Sequence, residues 1–250
     1  MLGPWAPLFW TLALLIVLWW VSRRLAHYFV FSVYLITRNE GLSVALYAIF
    51  IFPGTLVHET SHWMVAKLVG VRTGSFDVLP KFARDGTIQL GSVGIKGGGL
   101  WQLALIGLAP MVVGSLLTVW LSYSLVDVDQ LGYAMASGSW RAVLNVLAAS
   151  LQKPDALLAL YFLFTISDSI FLSDSDRAPV QQLVLYLGLV LIPLYVLGVM
   201  PAIPTSWTAA VQQGFAVFAS GLAIALLVHV LLLILFGALY FLVRSLTVQG

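Results

Sequence analysis

"FPGTLVHETSHWMVAKL", residues 52–68, decides how this chain is read. It sits within a run with the length and apolar character of a membrane-crossing helix, yet it carries two histidines and a glutamate. His58, Glu59 and His62 form the pattern HExxH. On a helix, positions four apart lie on one face, about one turn from each other. Both imidazoles can therefore reach one metal ion, with Glu59 beside them. Zinc suits such a site because it accepts nitrogen and carboxylate ligands and leaves one position for water, which then ionises near neutral pH. The neighbouring glutamate can take that proton, so the mechanics favour metal-assisted hydrolysis. In a soluble helix HExxH alone is a modest signal. Inside an apolar span, ionisable groups are costly and mark functional sites by default.

The rest of the chain supports that setting. Hydrophobic residues make up 61% of it and charged residues 9%, against about a quarter charged in an ordinary soluble domain. The expected fold is an all-α polytopic membrane protein, with about six transmembrane helices and a short β-structured loop between the second and third. Residues 1–250 form one membrane domain, with no room for a separate soluble domain. The spans fall at about 5–22, 42–69, 100–125, 155–173, 179–200 and 217–243, each near the ~20 apolar residues a bilayer requires. The first reads as a retained span, not a removed signal peptide. Residues 26–37 either extend that helix or lie at the interface. Residues 127–154 read as interfacial and partly helical around "SWRAVLNVLAASL", and "PAIPTSWTAAVQQ" as an interfacial turn. The net charge of +2 is spread over many loops, which argues against a nucleic-acid partner. The absence of cysteine excludes disulfides, thiolate ligands and a cysteine nucleophile.

A zinc site of this kind needs a third protein ligand. Asp168, Asp174 and Asp176 are the candidates, all in "FTISDSIFLSDSDR" at the inner half and end of the fourth expected span. That span runs parallel to the second, so its end reaches the face that bears His58 and His62. Asp127, Asp129 and Asp155 belong to the opposite face.

These residues resemble the site-2 protease family of intramembrane zinc metalloproteases, in a minimal form without a PDZ or other soluble regulatory domain. That family has HExxH in one span and an aspartate ligand in a later one, within a pattern resembling N-x-x-P-x-x-x-L-D-G. Asp168 precedes Asp176 by the same eight positions that separate the family's asparagine from its aspartate. The resemblance thus assigns the third ligand to Asp176, with Asp174 as the alternative. "LIGLAPMVVGS", with Ala109 and Pro110, is similar to the family's small-residue-plus-proline kink. A metalloprotease-like core over 42–178 follows. The sequence departs from the pattern in three ways: Asp168 replaces the asparagine, the local proline is missing, and Arg177 follows Asp176 where the family has glycine. In the family the asparagine helps hold the substrate or the developing oxyanion, and the resemblance gives that role to Asp168. An ionised aspartate would repel such charge, whereas one kept neutral by burial could donate a hydrogen bond.

Residues 71–98 read as extended, with a turn signal at Asp85–Gly86 followed by alternation of Ile88 and Leu90. The family places a β-structured loop here, near the active site. An open strand edge can pair with an extended substrate, replacing bonds lost when a substrate helix unwinds. The alternative is an ordinary surface hairpin. Pro53 is placed to bend the second span or simply to kink it. His229, in the last expected span, reads as a packing histidine before it reads as part of a site. Seven of the nine tryptophans, at 5, 10, 19, 20, 101, 120 and 207, fall mostly near span ends.

The functional expectation is a zinc metallopeptidase cleaving a membrane-embedded or membrane-adjacent protein. His58, His62 and Asp176 would hold zinc and Glu59 would act as general base, with a partner protein or the loop selecting substrates. Placing the site toward the cytoplasm puts seven Lys and Arg there (67, 72, 81, 84, 96, 177 and 244) and five on the other side (23, 24, 38, 141 and 153). Arg23 and Arg24 alone argue for the reverse. The rival readings are a non-proteolytic metal-binding scaffold or chaperone of the same fold, and a proton or metal transporter.

Overall fold

A computed structural model describes residues 3–78, 81–82, 88–89, 91–199 and 204–248 of the chain. After a short 3-10 turn, α1 (Ala6–Thr37) runs unbroken through the first expected span and on through residues 26–37. At roughly 1.5 Å per residue its 32 residues reach about 48 Å, well beyond the ~30 Å of a bilayer core. It stops at Arg38, whose backbone takes the left-handed conformation (φ 53°). Asn39 then caps α2 (Glu40–Phe50) by accepting from the Leu42 N–H at 3.0 Å.

The second expected span is not one helix. α2 and α3 (Phe52–Leu68) meet at Ile51 with a bend of 70°. Pro53 lies in the first turn of α3, where a missing N–H costs nothing, so it starts a new helix and does not kink an old one. The Phe50 carbonyl at the break accepts from the Tyr161 hydroxyl at 3.0 Å, which satisfies a group the break would orphan.

The loop forms the expected β-structure. β1 (Arg72–Asp77) pairs antiparallel with β4 (Ser92–Lys96), with a register shift between Thr73 and Phe76. β2 (Lys81–Phe82) pairs with β3 (Ile88–Gln89). The turn at Asp85–Gly86 and the position of Leu90 lie outside the described residues. Among the described residues β4 has β1 as its one sheet neighbour, so its other edge is open.

α4 (Leu100–Leu125) matches the third expected span and is the hub of the bundle, touching α3, α7 (Ala156–Asp168), α8 (Asp174–Val196) and α9 (Thr205–Val248). Residues 127–154 form two short helices, α5 (Val128–Ala136) and α6 (Trp140–Leu151). α6 meets α7 (Ala156–Asp168) at a bend of 99°. The fourth expected span is not one helix: α7, at 13 residues and about 20 Å, ends at Asp168 and is long enough to cross only when taken with α6 as a bent pair. Asp174 and Asp176 do not close that helix. They open the next one, α8 (Asp174–Val196), because Ser173 and Asp176 form a capping box. α9 (Thr205–Val248) starts well before the last expected span, absorbing residues 205–213 of the supposed turn, and packs along α1.

The largest core cluster joins α1, α2, α4, α7 and α9 through Leu25, Tyr47, Leu121, Phe164 and Ala225. α8 has no buried residue, although most of its side chains are apolar. Among the described residues four helices are long and apolar enough to cross a membrane, or up to six spans if each bent pair counts as one. Apolar surface this extensive suits a bilayer better than water.

Glycine sets one close approach that matters for the site. A Cβ at Gly107 of α4 would stand 2.6 Å from the carbonyl oxygen of Asp176, so only glycine lets the first turn of α8 seat there. Gly107→Val is expected to lower stability by about 1–3 kcal/mol. Thermal unfolding in detergent would show this as a lower Tm than wild type.

Candidate metal centre

α3 presents His58, Glu59 and His62 to α4, α7 and the start of α8. The first turn of α8 brings Asp176 opposite them. His62 Nε2 lies 3.3 Å from Asp176 Oδ1, His58 Nε2 lies 3.7 Å from Asp176 Oδ2, and the two Nε2 atoms are 3.2 Å apart. A tetrahedral ion about 2.0–2.2 Å from each ligand would set ligand–ligand distances of about 3.3–3.6 Å. The three separations lie close to that figure.

Backbone carbonyls orient both rings. His58 Nδ1 donates to the Ser169 carbonyl at 2.7 Å, and His62 Nδ1 donates to the Ile106 carbonyl at 2.8 Å. A carbonyl only accepts, so each Nδ1 carries a proton and each ring turns its Nε2 toward the other. Two lone pairs 3.2 Å apart repel unless a cation or a further proton lies between them. This is the tautomer and ring setting that metal-binding histidines use.

Both carbonyls are free for identifiable reasons. In an α-helix the Ile106 carbonyl would accept from the N–H of residue 110, and Pro110 has none. Ser169 caps the C-terminus of α7, where carbonyls lack helical partners. Asp176 is held by its capping box, accepting from the Ser173 N–H at 3.0 Å and from the Ser173 hydroxyl. Its position at the N-terminus of α8 also favours a negative charge.

Glu59 is buried, 8% exposed, beside this group. Gly91, just before β4, passes so close over it that a Cβ there would lie 2.8 Å from Glu59 Oε1. The four residues line a cavity of about 1050 Å³. Its walls include Ser92, Val93 and Ile95 of β4, Tyr47 of α2, Thr165 and Asp168 of α7, and Gln182 of α8.

The structure separates the three aspartates. Asp176 joins the histidines in the group of His, Asp and Glu side chains that could hold a metal ion. The Asp174 carboxylate is 97% exposed and pairs with Arg177 at 3.1 Å, turned away from the group. Asp168 lines the cavity without joining the group. Its Oδ2 accepts from the Tyr47 hydroxyl at 3.5 Å, and its Oδ1 lies 3.6 Å from His229 Nε2. Sequence reasoning missed Ile106, Ser169 and Tyr47. The capping signal Ser173-x-x-Asp176 and the position of Pro110 were legible, but a carbonyl's partner carries no sequence mark.

No family model, curated protein or solved structure matches the chain.

Metal content per purified chain tests whether this group holds an ion. Asp176→Asn is expected to lose the ion, while Asp174→Asn retains it. Pro110→Ala supplies an N–H that competes with His62 for the Ile106 carbonyl. It is expected to weaken metal affinity by about 10–100-fold, the usual cost of disturbing a ligand's support. Competition with a chelator would measure it.

Proposed function

We propose that this chain is an integral, multi-pass membrane zinc metalloprotease that hydrolyses a peptide bond in a membrane-embedded or membrane-adjacent protein. The observation that carries the proposal is the convergence of His58 Nε2, His62 Nε2 and an Asp176 carboxylate beside a buried Glu59. The donor set, two imidazoles and one carboxylate with a position left for water, is the chemistry of catalytic zinc rather than of a closed structural site.

His58, His62 and Asp176 would hold the ion. When bound, zinc supplies Lewis acidity that polarises a carbonyl and makes water a competent nucleophile near neutral pH. Glu59 then acts as general base toward that water, and afterwards as the acid that protonates the departing amine. Burial of the residues around it strengthens each electrostatic contact in the cavity. The open edge of β4 along the cavity can hold an extended peptide by backbone hydrogen bonds, which fits a protein substrate better than a small one. The bilayer is the solvent proposed for the long apolar helices and for α8, with six crossings if each bent pair is one span. The balance of Lys and Arg favours a site toward the cytoplasm. Selection of substrates falls to the loop over 71–98 or to a partner protein.

A transporter of protons or metal ions is the second reading, favoured by the buried contact between Asp168 and His229 behind the cavity. The two differ in one variant. For a protease, Glu59→Gln is expected to keep about one zinc per chain and to lower cleavage of a membrane substrate by about 10²–10⁴-fold. Unchanged biological function in Glu59→Gln would favour a scaffold, and ion flux into liposomes would favour the transporter.

A further inference from the structure

The most deeply buried ionisable contact lies behind the proposed metal group. His229, on α9, is fully buried, and its Nδ1 donates to the Ala225 carbonyl at 2.9 Å. That nitrogen therefore bears a proton, and in a neutral ring Nε2 would be a bare acceptor. Nε2 faces Asp168 Oδ1 across 3.6 Å, and among the described residues neither atom has a hydrogen-bond partner. An ionised carboxylate against a neutral ring would place two acceptors face to face, away from water. Buried polar groups are rarely left so. The Phe164 ring, 4.8 Å from the His229 ring between centroids, has no donor to offer. The Tyr47 hydroxyl points to the other carboxylate oxygen, Asp168 Oδ2, at 3.5 Å. A single proton between Oδ1 and Nε2 resolves the conflict and converts it into a charge-assisted or neutral hydrogen bond.

The charge of the cavity points the same way. A divalent ion held by His58, His62 and Asp176 would be balanced by the Asp176 and Glu59 carboxylates. Asp168 lines the same cavity, and a third full carboxylate would leave a negative charge uncompensated in a poorly solvated wall. It would also oppose the negative charge that develops during amide hydrolysis.

We infer that Asp168 and His229 hold one proton between them, and that His229 is thereby a positioning residue that keeps the Asp168 wall of the cavity neutral and its carboxyl turned toward Tyr47. The consequence for catalysis rests on the metalloprotease reading. The shared proton does not, since it follows from the buried contact itself.

The chain has four histidines, so nitrogen-15 labelling of histidine yields few signals, and His229→Gln assigns the one of interest. At neutral pH His229 Nε2 is expected to resonate as a proton-bearing or strongly hydrogen-bonded nitrogen, and to move to the free lone-pair position in Asp168→Leu. A free lone-pair signal in wild type, unmoved by Asp168→Leu, overturns the inference. The positioning role is read from kinetics. His229→Leu is expected to lower kcat about tenfold or more, with KM and metal content unchanged. The double variant Asp168→Asn/His229→Leu recovers most of the loss, because a neutral amide needs no shared proton. Wild-type kcat in His229→Leu, or a double variant no better than the single one, overturns that role. If the wild type binds no zinc, the metalloprotease reading fails while the nitrogen spectrum still decides the shared proton.

Discussion

The site depends on two backbone carbonyls that helices leave unpaired. Ile106 loses its helical partner because residue 110 is proline, and Ser169 lies at the end of α7. Each carbonyl takes the Nδ1 proton of one histidine, and that fixes both rings with Nε2 inward. Without them, two imidazoles one turn apart on α3 would be free to rotate toward lipid or toward each other's edges. With them, both Nε2 atoms face one point beside the Asp176 carboxylate.

The breaks in the helices serve the same end. A continuous second span would carry its polar residues along a straight rod. Here the break at Ile51 turns α3 by 70° and sets its polar turn against α4, α7 and α8. The orphaned Phe50 carbonyl is covered by Tyr161, so the break is satisfied within the bundle. α7 is short for a related reason: its end must deliver both the Ser169 carbonyl to His58 and the Asp168 side chain to the cavity. Irregular backbone is tolerated where it is buried or lines a cavity, and these segments do both.

Much of this is legible in the residues themselves. The apolar runs mark α1, α4 and α9, and the glycine-rich interruption marks β1 and β4. The spacing of HExxH alone places His58, Glu59 and His62 together on one helical face. The third expected span matches α4 from Leu100 to Leu125. The errors come where hydropathy cannot register a break. Residues 42–69 and 155–173 are apolar throughout enough of their length to pass as single spans, yet α2–α3 and α6–α7 bend sharply. The capping box at Ser173 and Asp176 is a readable signal that α8 begins there, and it outweighs the apolar run that leads up to it.

The sequence by itself determined the setting and the chemistry on offer: an apolar chain, too hydrophobic for water, with two histidines and a glutamate locked to one helical face by a spacing of four. That follows from helical periodicity, which is local. It left three aspartates open as the third partner and ranked them by resemblance alone. Only the tertiary structure separates their positions, by seating the first turn of α8 against Gly107, turning Asp174 out to Arg177 and placing Asp168 against His229. These outcomes depend on how helices distant in sequence approach one another. Such approach is set by side-chain volume and by unpaired backbone groups, and no local pattern records either.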